Sequence, residues 1–427
     1  MKKFTFYKLH VALAMLFMHT AVLAQMQSQL YVVSGGAFSD PNDFVEITHF
    51  DPQNSDNLTF GTIYTQAVQD ALIHDVNLLV TATDSLVIFD LESGSKLAAT
   101  AVYGANLLTV SAENIFMSVQ YPQASGFLKI YDRNTLELKQ TVDEISGETA
   151  GLLVVENKLF IAVPGSYGST NGAIAIVDPT SGQLMEEIDM GAAALGIYDL
   201  YLFNDQLIAL CKTPYGESIG NLIRFDPETN AFEHFSFNHA FGKGIAIIES
   251  KLYLMVDNGV GIIDLESMQM LDSQFISDPG SSNYIYFSDI VFDSIHQQFY
   301  AATTDYFSFG EGIIMDMQAN ITGSFDAGIS AEALAVDYKQ TTSLPLVEIN
   351  SVQLYPNPAE NLLQLKSISN RTIQTVSILH VSGQLAVEQQ INAKNTTLNV
   401  SVLPSGFYLI DILFEDQSHS IKQFVKN

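Results

Sequence analysis

One strand pattern recurs seven times along this chain: an apolar strand that ends in Asp and is followed by a tight polar turn. In each repeat two further strands precede the Asp strand and one follows it, so that a repeat consists of four strands, which we call a, b, c and d. Successive Asp residues are 39, 42, 46, 48, 38 and 52 positions apart, a period typical of a propeller blade of ~40–50 residues. The pattern therefore predicts an all-β fold, a seven-bladed β-propeller. The residues that end the seven c strands are Asp51, Asp90, Asp132, Asp178, Asp226, Asp264 and Asp316.

The turns indicate why these strands end in Asp. Asp90, Asp178 and Asp226 are each followed, four positions later, by Gly or Asn, residues that tolerate a positive φ. An Asp carboxylate can also accept hydrogen bonds from the backbone N–H groups just ahead of it. We therefore interpret these residues as turn-formers rather than catalytic acids.

The two ends of the repeat array predict how the ring closes. The first repeat begins at residues 29–33, which match strand b, so its strand a is missing. Residues 331–337 match strand a and are followed by no b, c or d strand. We expect this last segment to complete the first blade, because closure removes both exposed sheet edges. The predicted propeller covers residues 25–338.

The first 24 residues have the organisation of a secretory signal peptide. Three lysines (Lys2, Lys3 and Lys8) precede an apolar run over 11–23, and Val22 and Ala24 supply the small residues of a cleavage site. A membrane anchor is the alternative, but the run is shorter than the ~20 residues that span a bilayer. After signal removal we expect no transmembrane segment.

Charge excludes two classes of partner. Residues 25–346 contain 41 acidic and 10 basic side chains, a formal charge of −31. Such a surface repels phosphate backbones and anionic lipid headgroups. We therefore expect no nucleic acid partner.

The repeats resemble the seven-bladed quinoprotein-like and YVTN-type propellers of bacterial secreted proteins. The resemblance covers residues 29 to about 338 and lies in the strand pattern rather than in signature residues. It implies the fold but not the activity, since that family includes enzymes, enzyme subunits and binding proteins.

A polar linker at 339–346 leads to a second unit over 347–427. Short alternating segments near 352–354, 362–365, 373–380, 384–389, 397–402, 407–414 and 420–425 predict seven strands, which fit a small Ig-like β-sandwich.

This second unit also contains four motifs in order. They are Leu-Tyr-Pro-Asn-Pro at 354–358, Val-Ser-Gly-Gln at 381–384, Leu-Pro-Ser-Gly-Phe-Tyr at 403–408 and the basic-apolar end at 421–427. The unit resembles the C-terminal sorting domain of the type IX secretion system of Bacteroidetes. The residues that match are Tyr355, Pro356, Asn357, Pro358, Gly383, Leu403, Pro404, Gly406 and Tyr408.

The resemblance implies partners and a destination. The type IX secretion machinery would carry the chain across the outer membrane, and a sortase would remove the domain and link the cargo to surface polysaccharide. The mature protein would be secreted or attached to the outer-membrane surface. A generic carbohydrate-binding or adhesive sandwich is the alternative.

Catalytic and metal motifs are lacking in the sequence, and we predict no catalytic residue and no metal site. His234 and His239 lie five apart, which alternation in a strand would place on opposite faces. No cofactor is expected, with calcium near Asp40 and Asp43 as the one exception to consider, although the spaced acidic loop of an EF-hand is missing.

A ligand site is predicted on one face of the propeller. The b–c and d–a connections share this face, and several b–c connections are long and rich in Gly and aromatic residues. We expect the start of each strand a to ring the channel mouth there, beside tyrosines from the loops. The predicted ligand-binding residues are Asp70, Tyr121, Tyr167, Tyr215, Lys243, Asp289, Tyr306 and Glu332. Lys243 has no partner that the sequence identifies.

Three functions remain open. The first is a surface binding module for a glycan, peptide or protein ligand. The second is a polysaccharide lyase or hydrolase that uses the channel mouth, and the third is a structural component of the surface layer.

Overall fold

The computed structural model describes residues 25–52, 56–166, 168–341, 352–367, 371–380, 385–415 and 419–427. The predicted signal peptide and most of the predicted linker lie outside the described residues. The described chain divides into two compact units, Gln27–Lys339 and the part from Gln340 to Asn427. Among the described residues, no helix has the length and apolarity to cross a bilayer.

The first unit is built from seven antiparallel sheets of four strands. Blades one to four, in sheet order from strand a where the chain gives it, consist of β28 (Ala331–Thr341), β1 (Gln25–Ser34), β2 (Val45–Asp51), β3 (Asp56–Ile63); β4 (Val68–His74), β5 (Asn77–Ala82), β6 (Ser85–Asp90), β7 (Lys96–Ala101); β8 (Ala105–Val110), β9 (Asn114–Val119), β10 (Leu128–Asp132), β11 (Leu138–Val142); β12 (Leu152–Val155), β13 (Lys158–Val163), β14 (Ala173–Val177), β15 (Leu184–Asp189).

Blades five to seven continue the same order. They consist of β16 (Ile197–Phe203), β17 (Gln206–Cys211), β18 (Gly220–Phe225), β19 (Phe232–Phe237); β20 (Phe241–Ile248), β21 (Lys251–Val256), β22 (Gly259–Asp264), β23 (Gln269–Ile276); β24 (Tyr286–Asp293), β25 (Gln298–Thr304), β26 (Phe309–Asp316), β27 (Ile321–Ile329). Two single-turn 3-10 helices, Ala192–Ala194 and Ser281–Asn283, lie in the connections. The predicted seven-bladed β-propeller is confirmed.

Strand composition follows from the neighbours of each strand. The second strand of a blade, such as β13, is a continuous apolar run because both of its faces are covered by adjacent blades. The outer strand β7 is exposed along most of its length and is accordingly rich in Ala, Thr and Lys. The apolar cores lie between blades, and one of them joins Leu30 of blade one to Tyr300 of blade seven and Leu334 of the last strand.

The ring closes as the sequence predicts. Strand β28 comes from the end of the propeller segment and pairs beside β1, which completes the sheet of blade one. Ala331, Ala333 and Leu334 of β28 are buried, so the strand contributes apolar packing as well as a hydrogen-bonded edge.

The Asp residues at the ends of the c strands form turns. Asp178 Oδ1 accepts the N–H groups of Thr180 and Ser181 at 2.8 Å each, and these hydrogen bonds, with that from Ser181 the larger, hold the pKa of Asp178 below its usual range. Gly182 follows at φ 68°. In blade three the equivalent position is Leu136 at φ 56°, so the turn forms there without a glycine. The interpretation of these residues as turn-formers is confirmed.

The second unit is a two-sheet sandwich. One sheet contains β29 (Val352–Tyr355), β30 (Leu362–Ser367) and β33 (Asn395–Asn399). The other contains β32 (Leu385–Ala393), β31 (Ile373–His380), β34 (Gly406–Phe414) and β35 (His419–Lys426). One cluster of buried residues from both sheets forms its core, with Leu363, Ile410 and Phe414 fully enclosed. The seven predicted strands are all present.

Candidate ligand-binding face

The b–c and d–a connections meet on one side of the propeller, which we call the loop face. Because neighbouring strands of a blade are antiparallel, these connections leave the sheets at the same end. They also contact each other: Ala67 N, between blades one and two, donates to Gly35 O in the b–c loop of blade one at 3.0 Å. The Gln66 amide likewise donates to the backbone oxygens of Ala37 and Asp43 in that loop.

Exposed aromatic side chains occur on this face alone within the described propeller. Eight of the nine lie in b–c or d–a connections, and the ninth, Phe309, is the first residue of β26 beside such a loop. The a–b and c–d turns of the described propeller have no exposed aromatic side chain. The nine are Phe38, Tyr64, Tyr103, Tyr121, Tyr215, Tyr284, Tyr306, Phe307 and Phe309.

The predicted tyrosines divide into three cases. Tyr121 and Tyr215 are on the loop face with their side chains free, Tyr121 being 79% exposed and Tyr215 fully exposed. Tyr306 is only 46% exposed, and burial, followed by the nearby Glu332 carboxylate, raises its pKa. Tyr167 lies outside the described residues and stays a prediction.

The predicted charged residues lie along the central channel instead of on the open face. Asp289 is 1% exposed, and Asp70, although partly open to the channel, is otherwise enclosed by protein. Glu332 is partly buried, its pKa raised by burial despite a hydrogen bond from the Val68 N–H. The expectation that these side chains ring an open mouth is corrected, because the inner strands turn them toward neighbouring blades; their part in ligand binding stays a prediction.

Three of these inner-strand aspartates tie each blade to the next. Asp70 Oδ2 accepts the N–H of Leu108 at 2.8 Å, Asp199 Oδ2 accepts that of Gly244 at 2.7 Å, and Asp289 Oδ2 accepts that of Leu334 at 2.8 Å. In every case the acceptor lies in strand a of one blade and the donor in strand a of the next. We call these three contacts the aspartate latches.

Lys243 has a partner that the sequence did not identify. Its Nζ lies 2.7 Å from Asp289 Oδ1, so that one aspartate both binds a lysine and latches the closing strand. Burial by itself lowers the pKa of Lys243, but the Asp289 carboxylate outweighs burial and the pKa is raised. Lys243 is therefore held as a cation within the channel wall.

Two further channel residues were missed by the sequence analysis. Lys212 Nζ lies 3.2 Å from the centroid of the Tyr198 ring, a cation–π contact, and burial lowers the pKa of Lys212 to about 8 although Asp199 opposes this. Nothing local in the sequence signals the contact. The Asp199 latch, in contrast, could have been found, because Asp199 occurs in strand a just as Asp70 and Asp289 do.

The channel carboxyls predict an unusual dependence of stability on pH. Burial raises the pKa of Asp70 to about 6 and also raises the pKa of Asp199, Glu332 and Asp337. Unfolded carboxyls titrate near 4, so between about pH 4 and 6 the folded state binds more protons, and stability increases as the pH falls. Below about pH 4 the turn aspartates with lowered pKa, such as Asp178, lose their contribution. We expect the melting temperature, followed by circular dichroism, to be highest near pH 4–5.

A variant separates the contribution of Asp70 from the others. In Asp70→Asn the gain in unfolding free energy between pH 7 and 5 should decrease by about 1–3 kcal/mol, a range that allows for partial solvation from the channel. A gain that is the same in wild type and variant would contradict the assignment of this proton to Asp70.

The calcium candidate and the two histidines show ordinary local contacts. Asp43 Oδ2 accepts the N–H of Ala37 at 2.7 Å, and Asp40 Oδ1 accepts that of Asn42 at 3.0 Å. His239 Nδ1 lies 2.6 Å from Asp257 Oδ2, whereas His234 contacts Met190 O. Among the described residues, no three His, Cys, Asp or Glu side chains are grouped as metal ligands.

The motif residues of the C-terminal unit join its two ends. Asn357 Oδ1 accepts the N–H of Val425 at 2.9 Å, and its amide nitrogen donates to Gln423 O at 3.2 Å. Tyr408 donates its hydroxyl to Pro404 O at 2.9 Å and stacks on Phe424, with ring centroids 5.6 Å apart. The Leu-Pro-x-Gly-x-Tyr and Tyr-Pro-Asn-Pro motifs therefore both hold the last strand, while Gly383 lies outside the described residues.

The protein family described as "Secretion system C-terminal sorting domain" matches residues 353–427. These residues are a type IX sorting domain. The sorting domain directs the chain into the type IX secretion system, so the protein is secreted or displayed on the cell surface. No curated protein sequence matches the chain.

Solved structures show the likeness of the fold. A candidate 6-phosphogluconolactonase from Bacteroides fragilis is 11% identical with a TM-score of 0.54, over 73% of this chain and 98% of that one. PorZ of Porphyromonas gingivalis, described as a surface component of the type IX secretion system, is 12% identical with a TM-score of 0.47, over 93% of this chain. The chain spans only 58% of PorZ and 57% of the extracellular domain of BT4673 from B. thetaiotaomicron. At these identities the comparison concerns the fold alone.

Proposed function

We propose that this exported propeller is a surface binding module and that the loop face binds its ligand. The observation that carries the proposal is the segregation of exposed aromatic side chains, all of which, among the described propeller residues, are on this face. Aromatic rings left in water on one side of a soluble domain are typical of interaction sites. After export, a sortase would remove the sorting domain, as the resemblance implies.

The chemistry of the face suits sugar rings or cationic groups. Its connections contain one lysine and no arginine in the sequence, and that lysine, Lys212, is turned onto the Tyr198 ring. Carboxylates such as Asp84, Glu148 and Glu217 accompany the tyrosines there. Tyrosines stack on sugar rings and on cations, and carboxylates accept hydrogen bonds from hydroxyl and amino groups.

The aspartate latches favour binding over hydrolysis. A polysaccharide-active enzyme would need a carboxylate pair free to transfer protons. Asp70, Asp199 and Asp289 each accept a backbone N–H from the next blade, and a proton on that oxygen would disrupt the contact. They are therefore engaged in holding the ring together.

Substitution of the exposed tyrosines tests the proposal. In the mature protein, Tyr121→Ala and Tyr215→Ala should each weaken binding to the ligand identified on a glycan and peptide array about three- to tenfold, the effect of losing one stacked ring. Their melting temperatures should stay within about 1–2 °C of wild type, because exposed side chains contribute little packing.

The matched control is Leu97→Ala, an apolar side chain of similar exposure (58%) on the outer strand β7. It should leave binding unchanged. If wild type retains no array ligand, or if both tyrosine variants bind as tightly as wild type, the loop face is not the site and a structural role in the surface layer gains support.

A further inference from the structure

A crevice opens between blades six and seven. It has a volume of about 580 Å³, within the range of small-ligand and side-chain pockets. One wall is the outer strand of blade six with Phe275 and Ile276, and the opposite wall is β26 of blade seven with Phe309 and Ile313. Ile285 lies at its upper rim, so the crevice reaches the loop face.

The rim of this crevice exposes apolar side chains. Phe309 is 80% exposed, Phe307 75% and Ile321 71%, and a patch of this kind on a soluble domain marks an interaction site. A second opening of about 450 Å³ adjoins it, shares Phe287 and is flanked by Tyr306. The two openings form one continuous apolar surface along the boundary between the blades.

Backbone conformation supports the same location. Tyr284 and Tyr306 have φ values of 64° and 66°, a region that bulky residues rarely adopt. Such backbone strain clusters at ligand-binding sites. Both tyrosines are in connections next to the crevice, one on each side of strand pair β24–β25.

The charges around the crevice have one sign. Asp305 and Glu311 line it, and Asp257 lines the adjoining opening. The Ser308 and Phe307 N–H groups donate to Asp305 and hold the pKa of that carboxyl below its usual range, so it is ionised. Among the described residues that line the two openings there is no Lys, Arg or His.

We propose that this crevice binds a peptide segment in which apolar side chains alternate with lysine or arginine. The apolar side chains enter between β23 and β26, and the cationic groups meet Asp305, Glu311 and the exposed rings. The inference rests on the proposed function, since the crevice is part of the loop face, and it adds both the place and the charge of the ligand. Complementarity of charge excludes an acidic segment at the same place.

Two synthetic hexapeptides with one fluorophore test the proposal against the purified mature protein. One alternates lysine with phenylalanine, the other glutamate with phenylalanine. By fluorescence anisotropy the lysine peptide should bind at least tenfold more tightly, and raising the salt concentration from 0.05 M to 0.5 M should weaken its binding, because exposed charges are screened. Equal affinity of the two peptides would overturn the proposal.

Four single substitutions locate the site. Phe309→Ala and Glu311→Gln should each weaken binding of the lysine peptide about three- to tenfold. The matched controls on the same face are Phe38→Ala in blade one, 86% exposed, and Glu217→Gln in blade five, which should bind as wild type. All four side chains are exposed, and an unchanged melting temperature verifies folding.

The outcomes separate this inference from the proposed function. If the controls lose as much affinity as Phe309→Ala, the peptide binds the acidic surface at large and the crevice is not its site. If an array ligand depends on Tyr121 and Tyr215 while the lysine peptide fails to bind, the binding function stands and the inference about the crevice is wrong.

Discussion

Deletion of residues 331–337 should abolish cooperative unfolding of the propeller, whereas deletion of 347–427 should leave it folded. The first deletion removes most of β28, with Ala331, Ala333 and Leu334 buried in two blade cores. Each large apolar side chain that loses its packing costs ~1.5–3 kcal/mol. The edge of β1 is exposed as well, and together these losses approach the whole stability of a domain, about 5–15 kcal/mol.

Thermal and urea unfolding followed by circular dichroism measure both variants side by side. The 347–427 deletion is the matched control, because it removes many more residues but none of the ring. Melting temperatures that agree within a few degrees would show that β28 does not close the ring in solution.

Asp289→Ala should be the most destabilising single substitution at a polar residue in the channel. It removes the partner of Lys243 and the acceptor for the Leu334 N–H at the same time. Breaking a buried ion pair by removing one member costs about 3–5 kcal/mol. Because the Lys243 side chain is 31% exposed to the channel, we expect the lower value of about 2–4 kcal/mol in urea unfolding.

Two further variants identify the cause of this loss. Lys243→Met with Asp289→Leu removes both charges and should recover part of the stability, leaving the unpaired Leu334 N–H as the remaining cost. Asp289→Asn keeps an oxygen acceptor for Leu334 and should be less damaging than Asp289→Ala. A loss below about 0.5 kcal/mol for Asp289→Ala would show that the latch does not hold the closing strand.

Much of the fold was predictable from the sequence because its signals are local and repeated. Alternation of apolar residues and the Asp turn at the end of each strand c define a blade, and seven repeats with one strand displaced to the end define a closed ring. The C-terminal motifs identified the sorting domain in the same way, since Asn357 and Tyr408 act within one small sandwich. The tyrosines of the b–c loops were likewise placed correctly on the loop face, because strand direction fixes the side on which a connection lies.

The roles of the inner-strand charges were decided by tertiary structure. Asp289 meets Leu334 across 45 positions and Asp70 meets Leu108 across 38, and the pairing of Lys243 with Asp289 spans two blades. The crevice between blades six and seven depends likewise on how far two sheets separate, which no residue pattern within one sheet specifies. Within a blade the sequence determined structure because hydrogen bonding and burial act between neighbouring strands. Between blades, side chains distant in sequence share one space, and only the assembled ring decides which of them become latches and which remain available to a ligand.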